Sequence, residues 1–226
     1  MTGRAWFVTG TDTGVGKTRT SVALLAALAR QGRRAVGMKP VAAGAEPDAQ
    51  GRWCNDDVLA LRAASNVEAP ENLVNPYLLT LPASPHLAAQ REGVTIELDL
   101  LVERFTRLRE RSDAVVVEGA GGFFVPLTDT LTGADLAARL QLPVILVVGL
   151  RLGCLNHALL TQHAIESHGL RLVGWVANEL DPQMLALQDN VRTLQAKLGV
   201  PMLAHWTWAP DTPAHTLPID LGPLDA

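Results

Sequence analysis

Gly10-Thr11-Asp12-Thr13-Gly14-Val15-Gly16-Lys17-Thr18 lies between a short apolar run, Ala5 to Gly10, and a segment, Thr18 to Ala29, that sets Leu24, Leu25 and Leu28 on one side of a helix. The stretch fits G-x-x-x-x-G-K-[S/T], and strand, loop, helix is the setting that motif requires. Glycines allow successive backbone N–H groups to converge on a phosphate, and the helix starting near Lys17 adds its positive dipole end. The spacing puts Lys17 within reach of β- and γ-phosphates and offers the Thr18 hydroxyl to magnesium.

Outward from this loop the chain alternates strand-like and helix-like segments. Arg34 to Met38 reads as a second strand, followed by a long loop and a helix, Asp56 to Ala64, opened by Asn55 as its cap. Glu97 to Arg111 repeats Leu100, Leu101, Phe105 and Leu108 at helical spacing. Ala114 to Val117, Val144 to Val148 and Leu172 to Val176 are β-branched runs without polar alternation, as in strands buried on both faces of a parallel sheet. Helical segments Cys154 to His168 and Gln183 to Leu198 alternate with them. The rhythm predicts an α/β fold of the P-loop NTPase type: an open, mostly parallel sheet with helices on both faces, in one domain over 1–226. The tail after Ala209, rich in Pro and Asp, is expected to be irregular.

Composition narrows the function. With 19 basic and 23 acidic side chains the net charge is −4, which gives no basic excess to neutralise phosphates, so neither a nucleic-acid nor an anionic-membrane partner is expected. The longest apolar stretch, Leu142 to Leu150, falls far short of the roughly 20 residues of a membrane helix. The N-terminal stretch lacks the apolar core of a secretory signal, and Cys54 and Cys154 make no disulfide framework. A cytoplasmic protein with reduced thiols is expected.

Three lysines, Lys17, Lys39 and Lys197, stand among many arginines. A chain that otherwise prefers Arg but keeps Lys at the loop and at the end of the second strand wants a compact point charge there. Val115-Val116-Val117-Glu118-Gly119 places an acid where an apolar strand ends, facing the phosphates, and Asp57 at a helix start is either a second metal carboxylate or an acid favoured by the helix dipole. His86, His157, His163 and His168 show no ligand spacing and read as structural, as does Cys154; the five tryptophans read as packing residues, with stacking of Trp206 or Trp208 on a base a further possibility.

Together these residues resemble the dethiobiotin synthetase family over most of the chain. The resemblance is carried by Val8 to Thr18, Lys39-Pro40-Val41, Asn75-Pro76-Tyr77, Ser84-Pro85-His86, Val117 to Gly122, Gly153-Cys154-Leu155-Asn156-His157 and Gly174-Trp175-Val176-Ala177-Asn178. It implies a homodimer that uses ATP with Mg2+ and carbon dioxide to close a cyclic urea on 7,8-diaminopelargonate. It further implies that Thr13, Gly14, Val15, Gly16, Lys17 and Thr18 bind the triphosphate, and that Glu118, Gly119, Ala120 and Gly121 lie beside the phosphates and substrate. Asn178 would read the adenine edge, Thr18, Asp57 and Glu118 would hold magnesium, and Lys17 and Lys39 would be catalytic. Lys39 and Ala43 would face the substrate. Gly153, Cys154, Leu155 and Asn156 would offer helix-start amides to the substrate carboxylate across the dimer interface.

The chain departs from the family pattern at Gly14, where some relatives carry Glu, at Ala43, where many carry a hydroxyl residue, and at Ala204 to Trp208, which lacks the usual Ile-Pro near the base. Two rival functions share the loop. A partner-binding ATPase switch would be favoured by a second lysine early in the loop, where Thr11 to Thr13 are neutral or acidic. An amidotransferase-type synthetase would need an ammonia source, for which the chain holds no candidate glutaminase.

Overall fold

The computed structural model describes residues 4–225. In chain order the elements are β1 (Arg4–Gly10), α1 (Lys17–Arg30), β2 (Ala35–Met38), β3 (Val41–Ala43), β4 (Glu46–Pro47), β5 (Trp53–Cys54), α2 (Asp56–Ala64), α3 (Glu71–Val74), β6 (Tyr77–Leu79), α4 (Pro85–Glu92), α5 (Leu98–Arg109), β7 (Ala114–Gly122), α6 (Gly133–Leu140), β8 (Val144–Leu150), α7 (Cys154–Ser167), β9 (Leu172–Glu179), α8 (Leu187–Leu198) and β10 (Met202–Trp206). Six strands form one sheet in the order β10-β9-β8-β1-β7-β2, and every pairing is parallel. The predicted α/β architecture is therefore observed.

Why the apolar strands lack polar alternation is visible in β8, whose seven residues are all buried. Val144, Leu146 and Val148 face a core shared with α5, α6, α7 and α8, while Ile145 and Val147 face one shared with α1. Both faces are covered, so both demand apolar side chains.

Several elements differ from the expectations. The long loop between β2 and α2 contains β3, which pairs with β6, and the β4–β5 hairpin. β7 runs four residues past Glu118 to Gly122, so the acid lies within the strand and not at its end. The last helix starts at Leu187, after Ala186 in the left-handed region, four residues later than the composition suggests. β10 was not expected, because Ala204-His205-Trp206 mixes polarity as an edge strand does. The tail is largely irregular, with two short 3-10 turns, yet Leu217, Leu221 and Leu224 are buried on the α1 side of the sheet.

Candidate active site

Sheet order brings the key residues together. β7 lies between β1 and β2, with Val8 beside Glu118 in one pairing and Met38 beside Val117 in the other. Lys39, one residue on, therefore reaches the level of Glu118, next to the loop that β1 feeds. α1 begins at Lys17 and α2 at Asp56, and Asn55 Oδ1 accepts the Asp57 N–H at 3.1 Å to fix that helix start.

Lys39 Nζ donates to Asp57 Oδ2 at 2.7 Å and to Glu118 Oε1 at 2.6 Å. Thr18 Oγ1 lies 2.7 Å from Asp57 Oδ1 and 2.8 Å from Glu118 Oε1, and its one proton serves either carboxylate in turn. Lys17 Nζ donates to the Asp12 carbonyl at 3.0 Å. Two ammonium groups, two carboxylates and a hydroxyl thus share one end of the sheet. Burial and the nearby Lys39 charge push the Lys17 pKa down to about 8. Burial also works against the Lys39 charge, but the Glu118 and Asp57 carboxylates outweigh it and raise its pKa. Burial disfavours ionised Asp57, yet Lys39 and the Thr18 hydroxyl hold its pKa below the usual value.

Lys17, Thr18, Lys39 and Asp57 open onto a cleft of about 720 Å³, within the range of small-molecule sites, with Glu118 buried behind them. Thr13, Gly14, Gly16, Lys17, Thr18, Lys39, Ala43, Asp57, Ala120 and Gly121 line it. Other expected site residues are placed differently. Val15 is buried, its side chain in the core beside α1, so only its main chain is left for a ligand. Gly119 packs on Phe7 and lines a separate small void with Glu118. Asn178 is buried beneath the loop and donates to the Val15 carbonyl at 2.9 Å, so one amide hydrogen is engaged in holding the loop. Cys154 is buried and its thiol pKa is raised by that burial, which excludes side-chain contact with a ligand. Gly153, Leu155 and Asn156 lie outside the cleft lining of this chain. Trp206 is buried with Nε1 donating to the Pro218 carbonyl, which removes it as a stacking platform.

Glu118 has no exposed surface, and its Oε2 is buried without a hydrogen-bond partner. The Thr18 hydroxyl, the Asp57 carboxylate 2.7 Å from it and the Glu118 carboxylate 2.8 Å from it, whose second oxygen is free of any hydrogen bond, are hard oxygen donors of the kind that fits a divalent cation completed by phosphate oxygens. Among the described residues no group of three or more His, Cys, Asp or Glu side chains forms a self-sufficient metal site.

Sequence reasoning did not assign Asn55 or Ser84 to the site, although both line the cleft. Ser84 precedes Pro85 at the start of α4 and makes no side-chain cap to its helix. Serine followed by proline at a helix start is a signal that was present for it.

A family model described as "AAA domain" matches residues 4–216. An ATP-dependent dethiobiotin synthetase from Xanthomonas axonopodis pv. citri (strain 306) is 51% identical over 212 residues, covering 94% of each chain. One from Aromatoleum aromaticum is 53% identical over 200 residues, 88% of each. The chain belongs to the ATP-dependent dethiobiotin synthetase family. The two synthetases thus match this chain over most of their own length as well as most of its own. Among solved structures, the septum site-determining protein MinD of Pyrococcus horikoshii OT3, complexed with Mg-ADP, superposes with a TM-score of 0.58 at 18% identity, covering 93% of this chain and 83% of that one. A ParA family ATPase from Chlorobium tepidum TLS gives 0.57 at 12% identity, covering 92% and 86%. At such identities the likeness establishes the synthetase fold as that of a P-loop NTPase and nothing finer.

Proposed function

We propose that this chain, acting as one domain, forms dethiobiotin from 7,8-diaminopelargonate, carbon dioxide and ATP. The observation that carries the reading is the meeting of Lys17, Lys39 and Asp57 at the phosphate loop, on a cleft large enough for a second substrate, with buried Glu118 holding Lys39 from behind. One substrate amine adds to carbon dioxide and loses a proton, giving a carbamate. A carbamate oxygen attacks the γ-phosphorus and ADP leaves. The other amine then attacks the carbonyl carbon of the mixed anhydride, closing the ring and expelling phosphate.

Each step moves negative charge, and the residues answer it by position. Lys17 reaches from the loop towards the phosphates. Lys39, anchored between two carboxylates, turns its ammonium towards the carbamate and the transferring phosphoryl group, electrostatic stabilisation of charge as it develops. Thr18, Asp57 and Glu118 would hold Mg2+, which when bound would neutralise phosphate charge. Main-chain amides of Thr13 to Thr18 cradle the triphosphate, with Glu118 to Gly121 beside it, and Asn178 reads the base while bracing the loop. Ala43 lines the substrate part of the cleft without a side-chain hydrogen bond.

The start of α7 does not line the cleft of its own chain, in keeping with a homodimer in which Gly153, Cys154, Leu155 and Asn156 present main-chain amides to the carboxylate bound by the other copy. A cytoplasmic setting supplies ATP and suits the free thiols Cys54 and Cys154. The test is ADP release with magnesium ATP: it is expected only when bicarbonate and the diamino acid are both present. ADP release indifferent to both would refute the reading and favour the ATPase switch.

A further inference from the structure

Asn75-Pro76-Tyr77 is a segment that the reaction just described leaves without a role. Asn75 is buried, directly after α3, and its Nδ2 donates to the Lys39 carbonyl at 2.7 Å and to the Tyr77 carbonyl at 3.0 Å. Both partners are acceptors only, so the atom facing them is the amide nitrogen and not its oxygen. The residue before it completes the hold: Lys39 N–H donates to the Val74 carbonyl at 2.8 Å. Both main-chain polar groups of Lys39 are therefore held by two successive residues of one segment.

The reason lies in the sheet. β2 is an edge strand, and its outward main-chain groups have no strand to pair with. Asn66 Oδ1 accepts the Ala35 N–H at 2.7 Å and Ser65 Oγ the Gly37 N–H at 2.9 Å. Lys39 is next in that alternation, at the point where the chain leaves the sheet, and Pro40 after it has no N–H to contribute. Without Asn75 the Lys39 carbonyl loses its anchor, and a shift of about 1 Å in the main chain is enough to misplace a reacting group.

We propose that Asn75 is a positioning residue for Lys39: its side-chain amide fixes the main chain from which the Lys39 ammonium reaches Glu118, Asp57 and the substrate. The inference rests on the catalytic role proposed for Lys39. Two measurements test it. In the full-length chain labelled with 13C-lysine, only Lys17, Lys39 and Lys197 give side-chain signals, and Lys39→Ala identifies the Lys39 one. Asn75→Ala is expected to shift the Lys39 signal while leaving that of Lys197 in place, and to lower kcat about tenfold or more with the KM for ATP little changed. In the Lys39→Ala background the same Asn75→Ala change is expected to cost less than about twofold, because residues acting as a unit are non-additive. Asn75→Asp keeps the shape but sets a carboxylate oxygen against two carbonyls, so it is expected to fail as Asn75→Ala does. Should Asn75→Ala fail to fold, Asn75→Ser, which retains one donor, gives the same readouts on a smaller scale. An unmoved Lys39 signal, or equal kcat losses in both backgrounds, would overturn the proposal. A wild-type chain without turnover would instead remove the proposed function, and the lysine signal would still report on the clamp.

Discussion

Lys17 carries a cost to stability that follows from its burial. Its pKa lies near 8 against an ordinary 10.5, so between those values the unfolded chain binds the proton that the folded chain has released. Stability therefore rises with pH across that window, and below pH 8 the buried charge is a full burden, on the order of 3 kcal/mol. Lys17→Met is expected to raise the Tm of the ligand-free protein at pH 7 and to abolish ATP binding, with the gain in Tm shrinking as pH climbs from 8 towards 10.5. Calorimetry across pH checks this; a lower Tm at pH 7 would contradict the account of the burial. At this scale the sequence was informative wherever chemistry restricts residue type. The motif spacing singles out Lys17 and Thr18, the scarcity of lysine singles out Lys39, and the structure sets all three on one cleft. Asn75 and Glu118 Oε2 are different: what matters is which atom faces which, and that depends on the register of β2, β7 and the segment after α3.

At the scale of elements, the loop and the strands around it are fitted to each other. Gly16 has φ +101°, in the left-handed region, and a Cβ there would come within 2.5 Å of Asn178 Nδ2. The turn that opens α1 thus depends on glycine, and on β9 bringing Asn178 underneath it. Gly16→Ala is expected to reduce nucleotide affinity at least about tenfold, since both the backbone strain and the displaced Asn178 act on the loop. Isothermal titration with a nonhydrolysable ATP analogue measures it, and unchanged affinity would show that the loop tolerates another path. The sheet strands were legible because two covered faces enforce unbroken apolar runs. The small β3–β6 pair and the edge strand β10 were not, because short or edge strands need no such pattern. Helix α6 opens on a reciprocal cap between Thr132 and Asp135, a local signal set against the low helix propensity of Gly133.

At the scale of the whole molecule, the two faces of the sheet are covered unequally. α3 to α8 supply one core, whereas α1 shares the other with Leu61 of α2 and with the tail leucines Leu217, Leu221 and Leu224. The irregular tail is thus part of the fold. Asp220 N–H donates to the Leu203 carbonyl at 2.8 Å, and Arg4 pairs with Asp225 at 2.7 Å, joining the two ends of the described chain. Leu217→Ala is expected to cost about 2 kcal/mol and to lower the Tm by about 4–8 °C without altering the KM for ATP. An unchanged Tm would mean that the tail leaves α1 in solution. Pro and Asp content signalled irregular backbone correctly but carried no information on packing, which three leucines spaced along a loop do not announce.

The same molecular scale holds the central claim, that this arrangement joins a carboxylated amine to the ATP phosphates. Carbon-13 NMR of a reaction containing 13C-bicarbonate, the diamino acid and magnesium ATP tests it most directly. The account predicts one labelled cyclic-urea carbonyl for each ADP released, and ADP accumulating with no labelled urea would contradict it.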